Sequence, residues 1–349
     1  MKPLVEDRVS YPALTREVIP ESNWVRIRYV VMILLAMVVS LNLLVIGLIN
    51  SAPISLDDRM VNLKWELARS GDIVADWVIL GDSTANQGLD PRIAERDHER
   101  TAVNLATLAN FGFVDDVWLL ETYLENHPSP EAIIVMHAHD VYPREISLSH
   151  PVFDVTPLEF GAWHTSQLEF APTLSDQSLW LGKRLFPLYF RNNTYLRALG
   201  RRAGLVQDTH IQATEITGDG FMVWPVARPS LLSREFEIQR DWLADVSFTV
   251  SDTNQRAFNT LIDMAASKAI PLHFVHAPIF DELYATPEFQ TYLTDMRLWL
   301  QTQANQSTYF IYHPEVDTFP AEAMDYIDHV IYPYSDQLSE AIFARVAER

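Results

Sequence analysis

From Tyr29 to Leu56 the chain carries no charged side chain, and valine, leucine, isoleucine and methionine dominate the run. A helix that is apolar on every side offers no water-facing surface, and roughly 20 such residues cross the hydrocarbon layer of a bilayer. The run is therefore either a membrane span or a cleaved signal peptide. A signal peptide would need a shorter n-region and a shorter apolar segment, and Pro53 follows the small-residue cleavage candidate Ser51-Ala52. An uncleaved anchor is the expectation. Lys2, Arg8, Arg16, Arg26 and Arg28 precede the run, whereas Arg59 and Lys64 alone follow it closely, so the positive-inside rule leaves the N-terminus in the cytoplasm. This predicts a cytoplasmic tail at 1–28, a transmembrane helix at 29–50, a neck at 51–76 and an extracytoplasmic domain at 77–349. Trp24 and Trp65 flank the run where indole rings sit among lipid headgroups, with ordinary packing as the competing role.

The remainder is long enough to bury the core of one large or two small domains, and 17 Phe, 13 Tyr and 9 Trp are available to fill it. There are no cysteines, so an exported domain holds together by packing alone, which suits a bacterial envelope better than a eukaryotic secretory route. A formal charge of −20 argues against nucleic acid and anionic lipid as main partners, since both would be repelled. The sequons at Asn192 and Asn305 mean little in a bacterial cell.

Met60, Leu63 and Leu67 recur at helical spacing over 57–70 and predict a neck helix leading off the membrane. Beyond it, short apolar runs at 77–80, 102–105, 132–137, 272–276 and 309–312 read as strands. Helical patterns at 91–98, 114–125, 254–268 and 287–303 alternate with them, and a last helix at 335–346 places Leu338, Ile342 and Val346 on one side. Such alternation predicts an α/β domain, a parallel sheet of about five strands covered by helices on both faces. It is interrupted at about 147–250 by a segment expected to be largely helical. That insertion holds Trp163, Trp180, Phe186, Tyr189, Phe190, Trp224 and Trp242, with a basic cluster at Arg197, Arg201 and Arg202. Packing of a subdomain is the first role for those aromatics, and a lid or docking surface the second.

The strand at 77–80 breaks at Gly81 and presents Asp82-Ser83 directly afterwards. A serine hydroxyl is a weak nucleophile unless the backbone holds it exposed at a sheet edge beside free N–H groups and a base. The base candidate is His329, in the run Asp325-Tyr326-Ile327-Asp328-His329 on the expected loop before the last helix. Loops after the C-terminal ends of parallel strands converge on one edge, so Ser83 and His329 can meet there. Asp325 or Asp328 would orient the imidazole, and a surface His–Asp pair is the competing role.

With these residues the chain resembles the SGNH (GDSL-like) hydrolase family. Gly81-Asp82-Ser83 is similar to the family's first block, residues 104–112 stand at the second, and His329 stands at its C-terminal histidine. The resemblance runs from Trp77 to the C-terminus, interrupted by the insertion, and implies a flavodoxin-like SGNH fold and acyl chemistry through a serine acyl-enzyme. It implies no cofactor and no metal. The family acid lies three residues before the histidine, where this chain has Tyr326; Asp325 is the first candidate and Asp328 the second. Asn110 or Gly112 would serve as the second-block oxyanion donor. His139 stands nearest to the third-block asparagine, in a run that has no Asn at that place. The single span, the exported domain and the large insertion are together similar to members that work beside membrane-bound O-acyltransferases.

His137 and His139 share one strand face, and with His273 and His276 a zinc site can be drawn, although lining or underpinning the cleft is the expected role. The leading expectation is a single-pass protein of the cytoplasmic membrane whose periplasmic domain passes an acyl group through Ser83 to a hydroxyl of an envelope glycan, with a membrane-bound O-acyltransferase as partner. An esterase of the same fold and a non-catalytic glycan-binding or membrane-protein scaffold are the alternatives.

Overall fold

Residues 21–50, 56–71, 73–109, 112–144, 178, 200 and 215–348 are described in this computed structural model. The chain divides into two units, Met1–Ser51 and Ala52–Arg349. The first contains α1 (Glu21–Asn50). It starts before the uncharged run and takes in Arg26 and Arg28, since nothing in residues 21–28 breaks a helix. Its described apolar side chains from Tyr29 to Leu44 are all exposed. Trp24–Leu44 is long and apolar enough to cross a membrane.

The second unit is a mixed α/β fold. Its parallel sheet contains β1 (Trp77–Gly81), β2 (Ala102–Asn104), β3 (Ala132–His137), β6 (Leu272–His276) and β8 (Phe310–Tyr312), in the order β2-β1-β3-β6-β8. Every residue of β1, β2, β3 and β6 is buried, as required of strands covered on both faces. On one side α2 (Leu56–Arg69) and α7 (Asp252–Ser267) pack against α5 (Gly112–Asn126). Elsewhere α3 (Ser83–Gly88) and α4 (Pro91–His98) pack against α10 (Tyr334–Ala347). Local chemistry sets several of these ends. Asp90 caps α4 ahead of Pro91, and Ser251 caps α7, each side chain accepting an otherwise orphaned helix N–H.

The neck expectation is corrected here. α2 is not a free stalk: Met60, Val61, Trp65, Leu67 and Ala68 are buried in the same core as the sheet. Trp65 is thus a packing residue, because its helix has a second apolar face to hide. Residues 147–214 of the insertion, apart from 178 and 200, lie outside the described residues, and with them Trp163, Trp180, Phe186, Tyr189, Phe190 and the Arg197, Arg201, Arg202 cluster. The described end of the insertion is a hairpin of β4 (Glu215–Ile216) and β5 (Met222–Val223) followed by α6 (Pro229–Asp245). After β6 come β7 (Ile279–Phe280), α8 (Asp281–Tyr284) and α9 (Pro287–Ala304). After β8 come β9 (Thr318–Phe319), which pairs with β7, and then β10 (Met324–Tyr326) and β11 (His329–Val330). The last two form an antiparallel hairpin where a loop was expected, carrying His329 on its second strand.

Candidate active site

β1 ends at Gly81 with φ of 133°, and a Cβ there would lie 1.9 Å from the Met136 carbonyl oxygen. Only glycine fits so close to the neighbouring strand. Asp82 then caps α3: its carboxylate accepts from the Thr84 N–H at 2.8 Å and the Thr84 hydroxyl at 2.6 Å, and its other oxygen accepts from the Ala138 N–H at 2.8 Å. Ser83 is thereby left as the first residue of α3, partly exposed, with a backbone N–H that the helix does not use.

Ser83 Oγ lies 2.9 Å from His329 Nε2, and His329 Nδ1 lies 2.5 Å from Asp328 Oδ1. The three side chains form one hydrogen-bonded row across 246 positions of sequence. Burial alone would lower the imidazole pKa of His329, but the charge and hydrogen bond of Asp328 outweigh it and the pKa is raised. With Nδ1–H donated to Asp328, Nε2 is the acceptor turned to the serine.

Asp325, the first candidate for the orienting acid, is engaged elsewhere. Its two oxygens accept from Arg228 Nε and Nη2 at 2.6 Å each, in a bidentate pair. A carboxylate so clamped is fixed in place, and Asp328 holds His329 instead. Arg228 precedes α6, and Tyr326 donates to Glu235 of the same helix at 2.8 Å. The end of the insertion therefore braces the hairpin that carries His329. Nothing in their local sequence marks Arg228 and Glu235 for this task, because each is defined by a partner about 90 to 100 positions away.

Beneath Ser83 lies a buried ionic cluster. Asp116 accepts from the Gly81 N–H at 2.9 Å and pairs with His137 Nε2 at 2.5 Å, while His137 Nδ1 lies 3.6 Å from Asp82. Burial opposes a charge on His137, but the attraction of Asp116 and Asp82 raises its pKa to about 10. Burial tends to raise the Asp82 carboxyl, yet its bonds to His137, Thr84 and Ala138 hold it well below the ordinary range. His137 is thus a structural cation underneath the turn.

His139 is not presented to Ser83. Its buried ring sits against Phe289, Tyr292 and Trp242, with centroids 5.3, 6.2 and 6.4 Å away, and neither ring nitrogen has a polar partner. The oxyanion expectation for it is corrected: Ala138 gives its N–H to Asp82, and the next side chain turns into the aromatic box. Gly112 opens α5 with φ of 54°, and Asn110 lies outside the described residues. The four histidines drawn as a zinc set are divided among separate partners. His137 goes to Asp116, His273 bonds His313 at 3.0 Å, and His276 bonds the Tyr312 hydroxyl at 2.7 Å. Among the described residues no group of three or more ligand-type side chains is placed to hold a metal ion.

Compared with known proteins, the chain matches no family model and no curated protein.

Proposed function

We propose that this chain is a membrane-anchored, serine-dependent O-acyltransferase of the SGNH (GDSL-like) hydrolase fold, with its N-terminus in the cytoplasm and its α/β unit outside. The observation that carries the reading is the row Ser83–His329–Asp328 at the sheet's C-terminal edge. The strand order and the glycine-limited turn before Ser83 support the fold assignment. α1 supports the anchor, and the charge bias around it supports the orientation.

In this reading His329 Nε2 accepts the Ser83 proton as the oxygen attacks an acyl carbonyl, and Asp328 stabilises the resulting imidazolium. The Ser83 N–H, unspent at the start of α3, donates to the developing oxyanion. Collapse of the tetrahedral adduct expels the donor's leaving group, which takes the proton from His329, and leaves acyl-Ser83. A hydroxyl of an envelope glycan then gives its proton to His329 and attacks the ester, and Ser83 regains its proton on release. A membrane-bound O-acyltransferase is the partner that would supply the acyl group from across the bilayer. Water in place of the glycan hydroxyl would make the same site an esterase.

The test is labelling of the full-length detergent-solubilised protein with a fluorophosphonate, read by intact mass. One adduct is expected on the wild type and none on Ser83→Ala or His329→Ala. A folded wild type that takes no adduct sinks the reading.

A further inference from the structure

Tyr326 stands opposite His329 across the β10–β11 hairpin, with Ile327 and Asp328 as the turn between them. Directly opposed residues of an antiparallel pair send their side chains to the same face. The two rings meet there, with centroids 5.7 Å apart and planes at 85°, an edge-to-face contact. The imidazole is thus held on three sides, by Asp328 at Nδ1, by Ser83 at Nε2, and by the phenol ring on its flank.

Asp328 and His329 are neighbours in sequence, and neighbours on a strand diverge to opposite faces. The carboxylate reaches Nδ1 because Asp328 lies in the turn and not on the strand, so the bond depends on the angle at which the imidazole stands. Tyr326 is fixed independently of that bond. Its hydroxyl donates to Glu235 Oε2 at 2.8 Å, and Glu235 is a buried residue of α6 whose Oε1 accepts from Arg234 Nη2 at 2.8 Å. Burial, then the bond and charge of Glu235, raise the phenol pKa, so the hydroxyl stays a donor. The preceding residue, Asp325, is clamped by Arg228 ahead of the same helix. The phenol ring therefore meets His329 from a base anchored on the end of the insertion.

We infer that Tyr326 is a positioning residue for His329: its ring, anchored to Glu235, holds the imidazole at the angle that serves Asp328 and Ser83 together. The inference rests on the acyl-enzyme reading for its purpose, while the ring's placement is measurable without it. The experiment compares the fluorophosphonate labelling rates of full-length detergent-solubilised wild type, Tyr326→Phe and Tyr326→Leu, each checked for folding by urea unfolding, and repeats Tyr326→Leu on Asp328→Asn. Tyr326→Met replaces the leucine variant if that one does not fold. Phenylalanine keeps the ring and drops the hydroxyl bond, whereas leucine drops both. Tyr326→Leu is expected to slow labelling by about tenfold, and Tyr326→Phe to retain most of the wild-type rate. On Asp328→Asn the leucine substitution is expected to cost less than about threefold, because contacts that act through one imidazole are not additive. The tautomer of neutral His329, read from the ring-nitrogen shifts of isotope-labelled histidine, is expected to be Nδ1–H in the wild type and in Tyr326→Phe, and a mixture in Tyr326→Leu. A leucine variant with the wild-type rate or the wild-type tautomer, a phenylalanine variant as slow as leucine, or an undiminished loss on Asp328→Asn overturns the inference. A wild type that takes no adduct but whose tautomer depends on the Tyr326 ring would remove the acyl-enzyme and leave the positioning role standing.

Discussion

His329 can act as a base only when its imidazole is neutral, and Asp328 sets the pH at which that holds. Because Asp328 raises the His329 pKa above the ordinary value of 6.5, the labelling rate of Ser83 should rise with pH through a midpoint above 6.5 and then level off. Asp328→Asn removes the charge that opposes burial, so the midpoint should move down. Its plateau should also fall by roughly 10³–10⁴-fold, because the amide no longer selects the tautomer with Nε2 free. Asp325→Asn should lower the midpoint less than Asp328→Asn does, because its charge is a smaller contribution and it has no hydrogen bond to the ring, and it should lower stability, since it unpairs Arg228. A pH–rate series on the three proteins checks this, and a midpoint shifted further by Asp325→Asn than by Asp328→Asn would refute the assignment. His137 bonds Asp116 beneath the turn, and against its burial the charges of Asp116 and Asp82 raise its pKa above the window in which His329 is expected to titrate. Burial pushes the neighbouring Asp115 carboxyl up to about 7, which its bond to Thr107 moderates and the charge of Asp116 reinforces.

α3 is six residues long, too short to be stable unaided, and other elements hold it. Asn104, at the end of β2, donates to the carbonyls of Ala85 and Leu89 at 2.9 Å each and accepts from the Ala106 N–H at 3.0 Å. Behind it, Lys64 of α2 donates to the Asn104 carbonyl at 2.7 Å, to its side-chain oxygen at 3.1 Å, and to the Gly220 carbonyl in the β4–β5 hairpin. The ammonium is fully buried, and burial lowers its pKa well below the lysine range, with Asp219 offsetting part of that. The helix next after α1 in the chain therefore supports the helix that carries Ser83 through one lysine and one asparagine. Lys64→Met keeps the volume and removes the donors, so it should destabilise the protein by about 2 kcal/mol. It should also slow Ser83 labelling in protein that remains folded. Urea unfolding with labelling on the same samples checks both, and an unchanged midpoint with an unchanged rate would show Lys64 to be a bystander. Gly220, with φ of 93° and no room for a Cβ against the Asn104 carbonyl, completes the contact.

At the scale of the whole molecule, the absence of native cysteine allows the orientation to be read directly. In spheroplasts of a bacterial host, a membrane-impermeant maleimide should label Ser267→Cys, an exposed position, and leave Ser10→Cys unlabelled until the membrane is opened. The opposite pattern would invert the proposed topology. Much of this architecture was legible in sequence. The uncharged run marks α1, and the five parallel strands fall within a residue of their expected runs, because a strand covered on both faces is built mainly from apolar residues. Ser83 and His329 were legible too, since a glycine-broken strand end and a histidine before the last helix are local signals. Tertiary structure decided the rest. It gave Asp325 to Arg228 and Asp328 to His329, turned His139 into an aromatic box, and folded the neck helix into the core. These outcomes are competitions between hydrogen-bond and packing partners far apart in the chain. Local pattern determines which segments become strands and helices; which of two neighbouring carboxylates meets an imidazole depends on what stands across the hairpin, and only the folded chain brings that partner there.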